Sequence, residues 1–373
     1  MRDDVVVPSE LRALWRQRAE VLATNVASGG REHREIAHAA ALIRQDYHDR
    51  FLVELLQNAN DQALVGGVHD STAVIVRTTQ LLAVSNGGQA VTARNLERLS
   101  SLADSDKTGV LVGNKGVGFK AVYQVTDAPE VYSAASEPAS GSIFTHFGVG
   151  IALEQHPFEQ RALRAAVEDD VRTFFRENAG LAQTLTSRGI EDPLAAVRPE
   201  FERVAGFKFP LARDARDLDA RLDDLRIPEG ERDAIRTLVV LPLRDHKASD
   251  DVESAIDRLV GDEDESEAGQ AELALLFLMG VSRIVVIDRV RDAQWTFARA
   301  IDDGTPTVAT ITATTKNAAE RVVRFWTLRR DALSGVASAG TERRRVVQDA
   351  LREFGLEAWK DDDPLPVTIA LPM

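Results

Sequence analysis

The chain has 373 residues, 44% hydrophobic and 28% charged, which is enough for two or three globular domains with cores of ordinary size. A formal net charge of -14 and a pI near 5.1 argue against a broad electrostatic hold on DNA or RNA, so direct nucleic-acid binding is not expected. The absence of cysteine excludes disulfides and thiolate metal sites.

The first residues, MRDDVVVPSELRALW, carry neither the basic nor the apolar region of a secretory signal, and no apolar run reaches the length of a membrane span. The expected location is the cytoplasm, with no membrane partner. Helical spacing runs from Ser9 to Gly29, with Leu11, Leu14, Trp15, Ala19 and Leu22 on one side, and a second helix is predicted from Arg31 to Gln45. DYHDRFLVELLQNANDQAL gives a long amphipathic helix that stops at Gly66-Gly67. STAVIVRTTQLLAVSN reads as two strands around a short turn. ARNLERLSSLAD reads as a helix, SDKTGVLVGNKGVG as a loop, and FKAVYQVT as the start of another helix. Strands are predicted at APEVYSA and GSIFTHFGVGIAL, then helices around Ala165–Asn178 and Leu211–Leu225, then a strong strand at IRTLVVLPLRD. The acidic run GDEDESE from Gly261 reads as a solvated loop. AELALLFLMG follows as a buried helix, and SRIVVID, AQWTFARAI, TVATITAT and ERVVRFWTL as an antiparallel meander. A charged helix over Thr341–Leu356 and an apolar strand, LPVTIALPM, end the chain. That strand is compatible with a terminal sheet strand or with a chain cut from a longer protein.

Two stretches carry chemistry. In VGNKGVGFKAVYQVTD, Gly113, Gly116 and Gly118 can turn backbone amides toward an anion ahead of a helix, although a glycine turn with no ligand is the competing reading. The spacing is neither a Walker A loop nor a dinucleotide fingerprint. In ELLQNAND, Glu54, Asn58 and Asp61 stand at i, i+4 and i+7 and share one helix face, while Leu55, Leu56, Ala59 and Ala63 can pack on the other. For a single helix, such a stripe is more often solvated than functional.

Taken in order, Glu54 with Asn58, then VSNGGQAVT, VGNKGVGFKA and the late RTLVVLPLRD resemble the nucleotide site of the GHKL superfamily, which includes gyrase B, the heat-shock chaperone, MutL and sensor histidine kinases. Within it, DYHDRFLVELLQNANDQ and GNKGVGFKAV are most similar to the sacsin and NO VEIN group of chaperone-like ATPases. The resemblance covers roughly residues 45 to 245. It implies a Bergerat-type α/β (α+β) sandwich, a mixed and largely antiparallel sheet with helices on one face. It also implies a division into an ATP-binding domain with a helical extension over 1–249 and a smaller α+β domain over 250–373, with truncation left open. The cofactors it implies are ATP and Mg2+. Glu54 becomes the general base, Asn58 the magnesium ligand, and Asp61 a group ordering water around them. Asn86, Gly88, Thr92 and Thr237 fall at the adenine-binding positions. Gly113, Gly116, Val117, Gly118 and Phe119 form the hinge over the phosphates, with Lys107, Lys115 and Lys120 available to meet negative charge. Lys120 has an alternative in packing along its own helix. A basic residue from the following domain is expected on the γ-phosphate; Arg244 and Lys247 are near candidates, and no motif selects between them.

One position departs from the pattern. The family's adenine-binding acid is Asn86 here, which removes charge assistance and predicts weak ATP binding with reduced discrimination against guanine. The expected activity is slow, magnesium-dependent hydrolysis of ATP to ADP and phosphate by a conformational switch that acts on a protein partner or client, with a homodimer as one possible assembly. The alternative is a nucleotide-sensing module with little or no hydrolysis. His38 is a poor phospho-acceptor candidate for a histidine kinase, because Ala39-Ala40 stands where an acidic neighbour is expected. A DNA-remodelling ATPase fits badly with the acidic balance.

Overall fold

The computed structural model describes residues 6–46, 50–101, 118–133, 150–232, 235–261, 269–302, 307–315, 321–330 and 367–372. Three helices come first: α1 (Ser9–Ser28), α2 (Glu32–Asp46) and α3 (Phe51–Val65). α1 ends at Gly29, whose left-handed φ of 75° closes the helix with bonds back to Val26 and Asn25. Its buried face holds Leu11, Leu14, Trp15, Ala19 and Leu22, the residues that the helical spacing picks out, and the Trp15 Nε1 donates to the Pro210 carbonyl at 2.7 Å.

Among the described residues, eleven strands form one sheet. In chain order they are β1 (Ser71–Arg77), β2 (Leu81–Asn86), β3 (Glu130–Ser133), β4 (Gly150–Ala152), β5 (Leu211–Arg213), β6 (Thr237–Pro242), β7 (Val281–Asp288), β8 (Ala293–Asp302), β9 (Thr307–Thr315), β10 (Arg321–Arg330) and β11 (Val367–Pro372). Across the sheet the order is β11-β10-β9-β8-β7-β1-β2-β6-β3-β4-β5. Every neighbouring pair is antiparallel except β1 with β7, which joins the meander of β7 to β10 to the earlier strands. The sheet therefore runs unbroken past residue 250, which lies within α10 (His246–Val260).

Period-two burial assigns the faces. Ala73, Ile75, Leu82, Val84, Val239, Leu241, Ile284 and Val286 share a core with α1, α3 and α5 (Arg161–Glu177). Val74, Val76, Leu81, Ala83, Leu238, Val240, Val285 and Ile287 form a second core with Leu218, Leu222 and Leu225 of α8 (Ala215–Leu225). Helices on one face is thus corrected to helices on both, because the central strands are apolar on each side and neither side can be left wet. α8 is also shorter than the expected Leu211–Leu225 helix: Leu211–Arg213 pair with β4 as an edge strand, and Asp214 caps the helix by accepting from the Asp217 amide.

Other elements depart from the predicted pattern. Gly118–Gln124 forms a 3₁₀ turn where an α-helix is expected, and the three-residue repeat stacks buried Lys120 above buried Tyr123. α6 (Ala179–Ser187), α7 (Pro193–Val197), the short α9 (Glu229–Arg232) and α10 are additional. α11 (Gln270–Phe277) buries Ala271, Leu275 and Leu276 but leaves Leu273 and Phe277 exposed, so it is buried on one side only. The GDEDESE run and the Thr341–Leu356 helix lie outside the described residues. Among the described residues no helix is long and apolar enough to cross a membrane.

The parallel junction is pinned by charge. Arg77 on β1 and Asp288 on β7 are buried and paired at 3.0 Å, and Arg77 also donates to Glu253 of α10 at 2.6 Å. Arg291 and Arg77 together hold the Glu253 carboxyl down to about 2. Asp288 completes the joint by accepting from the Val290 and Arg291 amides at 2.9 Å and 3.2 Å.

Candidate functional site

α3 packs against the first core and carries the polar stripe. Glu54 and Asn58 are half-buried and Asp61 is buried, while Leu55, Leu56, Ala59 and Ala63 enter the core as the pattern requires. The Asp61 Oδ1 accepts from the Asn60 amide at 3.4 Å. Asn60 was not singled out by the sequence, yet it is fully buried and its Oδ1 accepts from the Gly280 amide at 2.8 Å. That bond ties α3 to the turn before β7. A Cβ on Gly280 would stand 2.7 Å from the Asn60 carbonyl, so the turn needs a residue without one.

The β2 exit lies directly against the same helix. Gln89 donates its amide to the Gln62 carbonyl at 2.8 Å, and a Cβ on Gly88 would stand 2.4 Å from the Ala63 nitrogen. Only glycine permits this approach. Asn86, 6% exposed, accepts the Gly88 amide on its Oδ1 at 3.2 Å and closes the turn. Thr92 caps α4 (Ala93–Leu99) in a reciprocal box with Asn95, so its position is fixed by the helix it starts.

The glycine segment reaches the stripe from the other side. A Cβ on Gly118 would stand 2.0 Å from the Glu54 Oε2, which places the backbone of the 3₁₀ turn against the carboxylate. The structure thus brings two motifs, from a stretch spanning more than sixty residues of chain, against the helix that carries the third. Lys107, Gly113, Lys115, Gly116 and Val117 lie outside the described residues.

A curated protein resembles part of this chain. Protein NO VEIN of Arabidopsis thaliana is 31% identical to it over 108 residues. The match takes in 28% of this chain and 4% of NO VEIN, so the chain spans a small fraction of that relative's length. No family model matches the chain. The likeness to NO VEIN agrees with part of the resemblance that the motifs carry.

Thr237 begins β6 opposite Asn86, and Ser133 ends β3 opposite Thr237, so the three residues form one cross-strand row. They lie on the α3 side, since Asn86 follows Val84 and Leu82 at period two and Thr237 precedes Val239. The Ser133 Oγ accepts the Val91 amide at 2.6 Å and anchors the loop after Gly88. The Thr237 Oγ1 is buried without a hydrogen-bond partner among the described residues. A buried hydroxyl of that kind is costly unless something completes it. Ser133 was legible only as a strand end; its place in the row depends on a register that no local signal carries.

Lys120 is spent differently from a phosphate contact. Its ammonium donates to the Leu99 carbonyl at the end of α4 and lies 4.0 Å from the centroid of the Phe207 ring, with Phe119 half-buried alongside. It joins the chain just before the glycine segment to the chain just after it. Burial pushes its pKa down from 10.5 to about 7. Between those two pH values the unfolded chain binds more protons than the native protein, so stability contributed here rises with pH across that window. Lys120→Met is expected to remove this rise, which urea unfolding of both proteins from about pH 6.5 to about pH 9 would detect. Arg244 pairs with Asp127 at 3.2 Å and donates to the Gln124 carbonyl at the far end of the same 3₁₀ turn, and Lys247 is exposed on α10. His38 is exposed on α2.

Two observations of this structure bear on whether a polar ligand fits here: the buried Thr237 hydroxyl without a partner among the described residues, and the close seats of Gly88 against the α3 backbone and of Gly118 against the Glu54 carboxylate.

Proposed function

We propose that the space bounded by α3, the Asn86–Gly88 turn and Gly118 binds a magnesium nucleoside triphosphate, and that the chain is a slowly hydrolysing conformational switch of the chaperone-like GHKL kind acting on a protein partner. ATP is the nucleotide that the resemblance implies. The observation that carries the reading is the approach of the Gly118 backbone to the Glu54 carboxylate, because it joins a glycine segment suited to phosphate to an acid suited to activate water.

Asn58 would hold the metal through its amide oxygen, the Gly118 backbone, seated against the Glu54 carboxylate, would face the phosphate oxygens, and Asn86, Gly88 and Thr237 would hold the base. The bound magnesium nucleotide supplies an electrophilic phosphorus and charge neutralisation. Glu54 holds a water by hydrogen bonding and takes its proton on a carboxylate oxygen. Thr92 keeps α4 and the preceding loop in register. Asn60 fixes the pitch of α3 against the β7 turn, so movement of the helix passes to the meander.

Calorimetric titration tests the site. Binding of ATP or GTP is expected to depend on magnesium, and Asn58→Ala is expected to weaken it by at least about tenfold. Absence of binding to either nucleotide at millimolar concentration, by folded protein, would overturn the reading.

A further inference from the structure

The C-terminal end of α1, the start of α2 and the 3₁₀ segment Arg198–Arg203 enclose a histidine that the site on α3 does not use. His33, 8% exposed, has both ring nitrogens within hydrogen-bond distance of an oxygen: Nε2 is 2.8 Å from the Glu200 Oε2, and Nδ1 is 2.7 Å from the Asn25 Oδ1. Glu200 is buried as well and accepts from Arg34 at 2.6 Å and 2.7 Å and from Arg203 at 2.9 Å. Hydrogen bonds from Arg34 above all, then from His33, hold its carboxyl down to about 2, so it is ionised near neutral pH. Charged groups on the neighbouring elements are engaged elsewhere. Arg188 donates to the Ala27 carbonyl at 3.1 Å, Arg198 pairs with Glu168 at 2.8 Å, and Lys120 is turned to Leu99 and Phe207. Glu32, Glu35 and Glu202 are exposed.

Hydrogen-bond accounting places the protons. A carboxylate only accepts, so Nε2 carries a hydrogen; the Asn25 Oδ1 also only accepts, so Nδ1 carries one too, and the ring in this arrangement is the imidazolium. Once Nδ1 releases its proton to water, its lone pair faces Oδ1 acceptor to acceptor, and half a turn of the amide brings the Nδ2 donor into place instead. The backbone need not follow, because the Gly30 amide still donates to the Asn25 carbonyl at 2.8 Å. The other end of the amide lies beside Gly30, where a Cβ would stand 2.8 Å from Nδ2. Asn25 and Gly30 both line an open groove of about 610 Å³, together with Val21, Thr24 and Phe174. We propose that His33 and Asn25 form a proton-linked switch, in which the imidazolium holds Asn25 with Nδ2 turned to the groove and the neutral ring holds it with Oδ1 there. Histidine is the side chain suited to such a change between about pH 5 and about pH 8. The Gly30 end of the groove thus offers a donor in acid and an acceptor in base, with α1 unmoved.

Nuclear magnetic resonance of the whole chain, with nitrogen and carbon labels in histidine and asparagine and the signals assigned by correlation to the backbone, reads both halves of the switch. From about pH 5 to about pH 9 the His33 Nδ1 signal is expected to pass from the protonated to the unprotonated type while Nε2 keeps its hydrogen. The Asn25 side-chain NH2 signals are expected to move with the same midpoint. Asn25→Asp supplies an ionised acceptor that cannot turn into a donor, and is expected to make Nδ1 hold its proton at least about tenfold more tightly. A ring that keeps one protonation state throughout, loss of the proton from Nε2 in place of Nδ1, or Asn25 signals indifferent to the titration of the ring would overturn the switch. The wild-type titration decides the matter even where the variant fails to fold.

Discussion

Glu54→Gln is expected to lower phosphate release by about 10²–10³-fold while leaving nucleotide affinity within about twofold of wild type. The substitution keeps the length and hydrogen-bonding reach of the side chain and removes only the capacity to take a proton. Glu54 is half-buried on the first turn of α3, with Leu55 and Leu56 packed into the core, so neither packing nor helix content should change. Phosphate release under saturating nucleotide, beside calorimetric affinity for the same protein, separates the two quantities. Unchanged turnover would remove Glu54 from the reaction. A wild type that binds nucleotide but releases no phosphate would instead make the chain a sensor, and the substitution would then be silent in both measurements.

How far the sequence reaches can be judged residue by residue. α1, α3, β1, β2, β6 and the meander were legible because their apolar positions repeat at the helical or strand period and their ends carry Gly29, Gly66 or Pro242. The 3₁₀ geometry at Gly118–Gln124 was not, because its apolar residues suit an α-helix equally well and the choice is made by the tertiary contacts of Lys120 and Tyr123 with Leu99 and Leu153. α8 covering the second face was hidden for a similar reason: strands buried on both sides announce that a cover exists, not which segment supplies it. At the candidate site, the shared helix face of Glu54 and Asn58 was readable from spacing, and Gly88 was picked out only through the family resemblance. Asn60 and Ser133 were not, since each acts through one bond to a residue far away in the chain, at Gly280 and at Val91. The orientation of the Asn86 amide belongs with them. The sequence shows an amide at this position, and only the closed turn to Gly88 orients it.

Gly118→Ala is the sharper test of how the site is assembled, and it is expected to reduce turnover by about 10²-fold or more with little loss of stability. The added methyl would stand 2.0 Å from the Glu54 Oε2 and 2.9 Å from its Cδ, both at the free end of a flexible side chain. The carboxylate can rotate away at small energetic cost, so the protein folds and the base leaves its place. Gly88→Ala provides the contrast. There the methyl meets the Gln62 and Ala63 backbone at 2.4 Å, which cannot rotate, so the β2 exit must lift from α3 and thermal stability falls instead. Thermal unfolding and phosphate release of the two variants should therefore separate, the first losing chemistry and the second losing stability. If Gly118→Ala retained full turnover, the carboxylate would have no need of its present position, and the contact that joins the glycine segment to Glu54 would be packing alone.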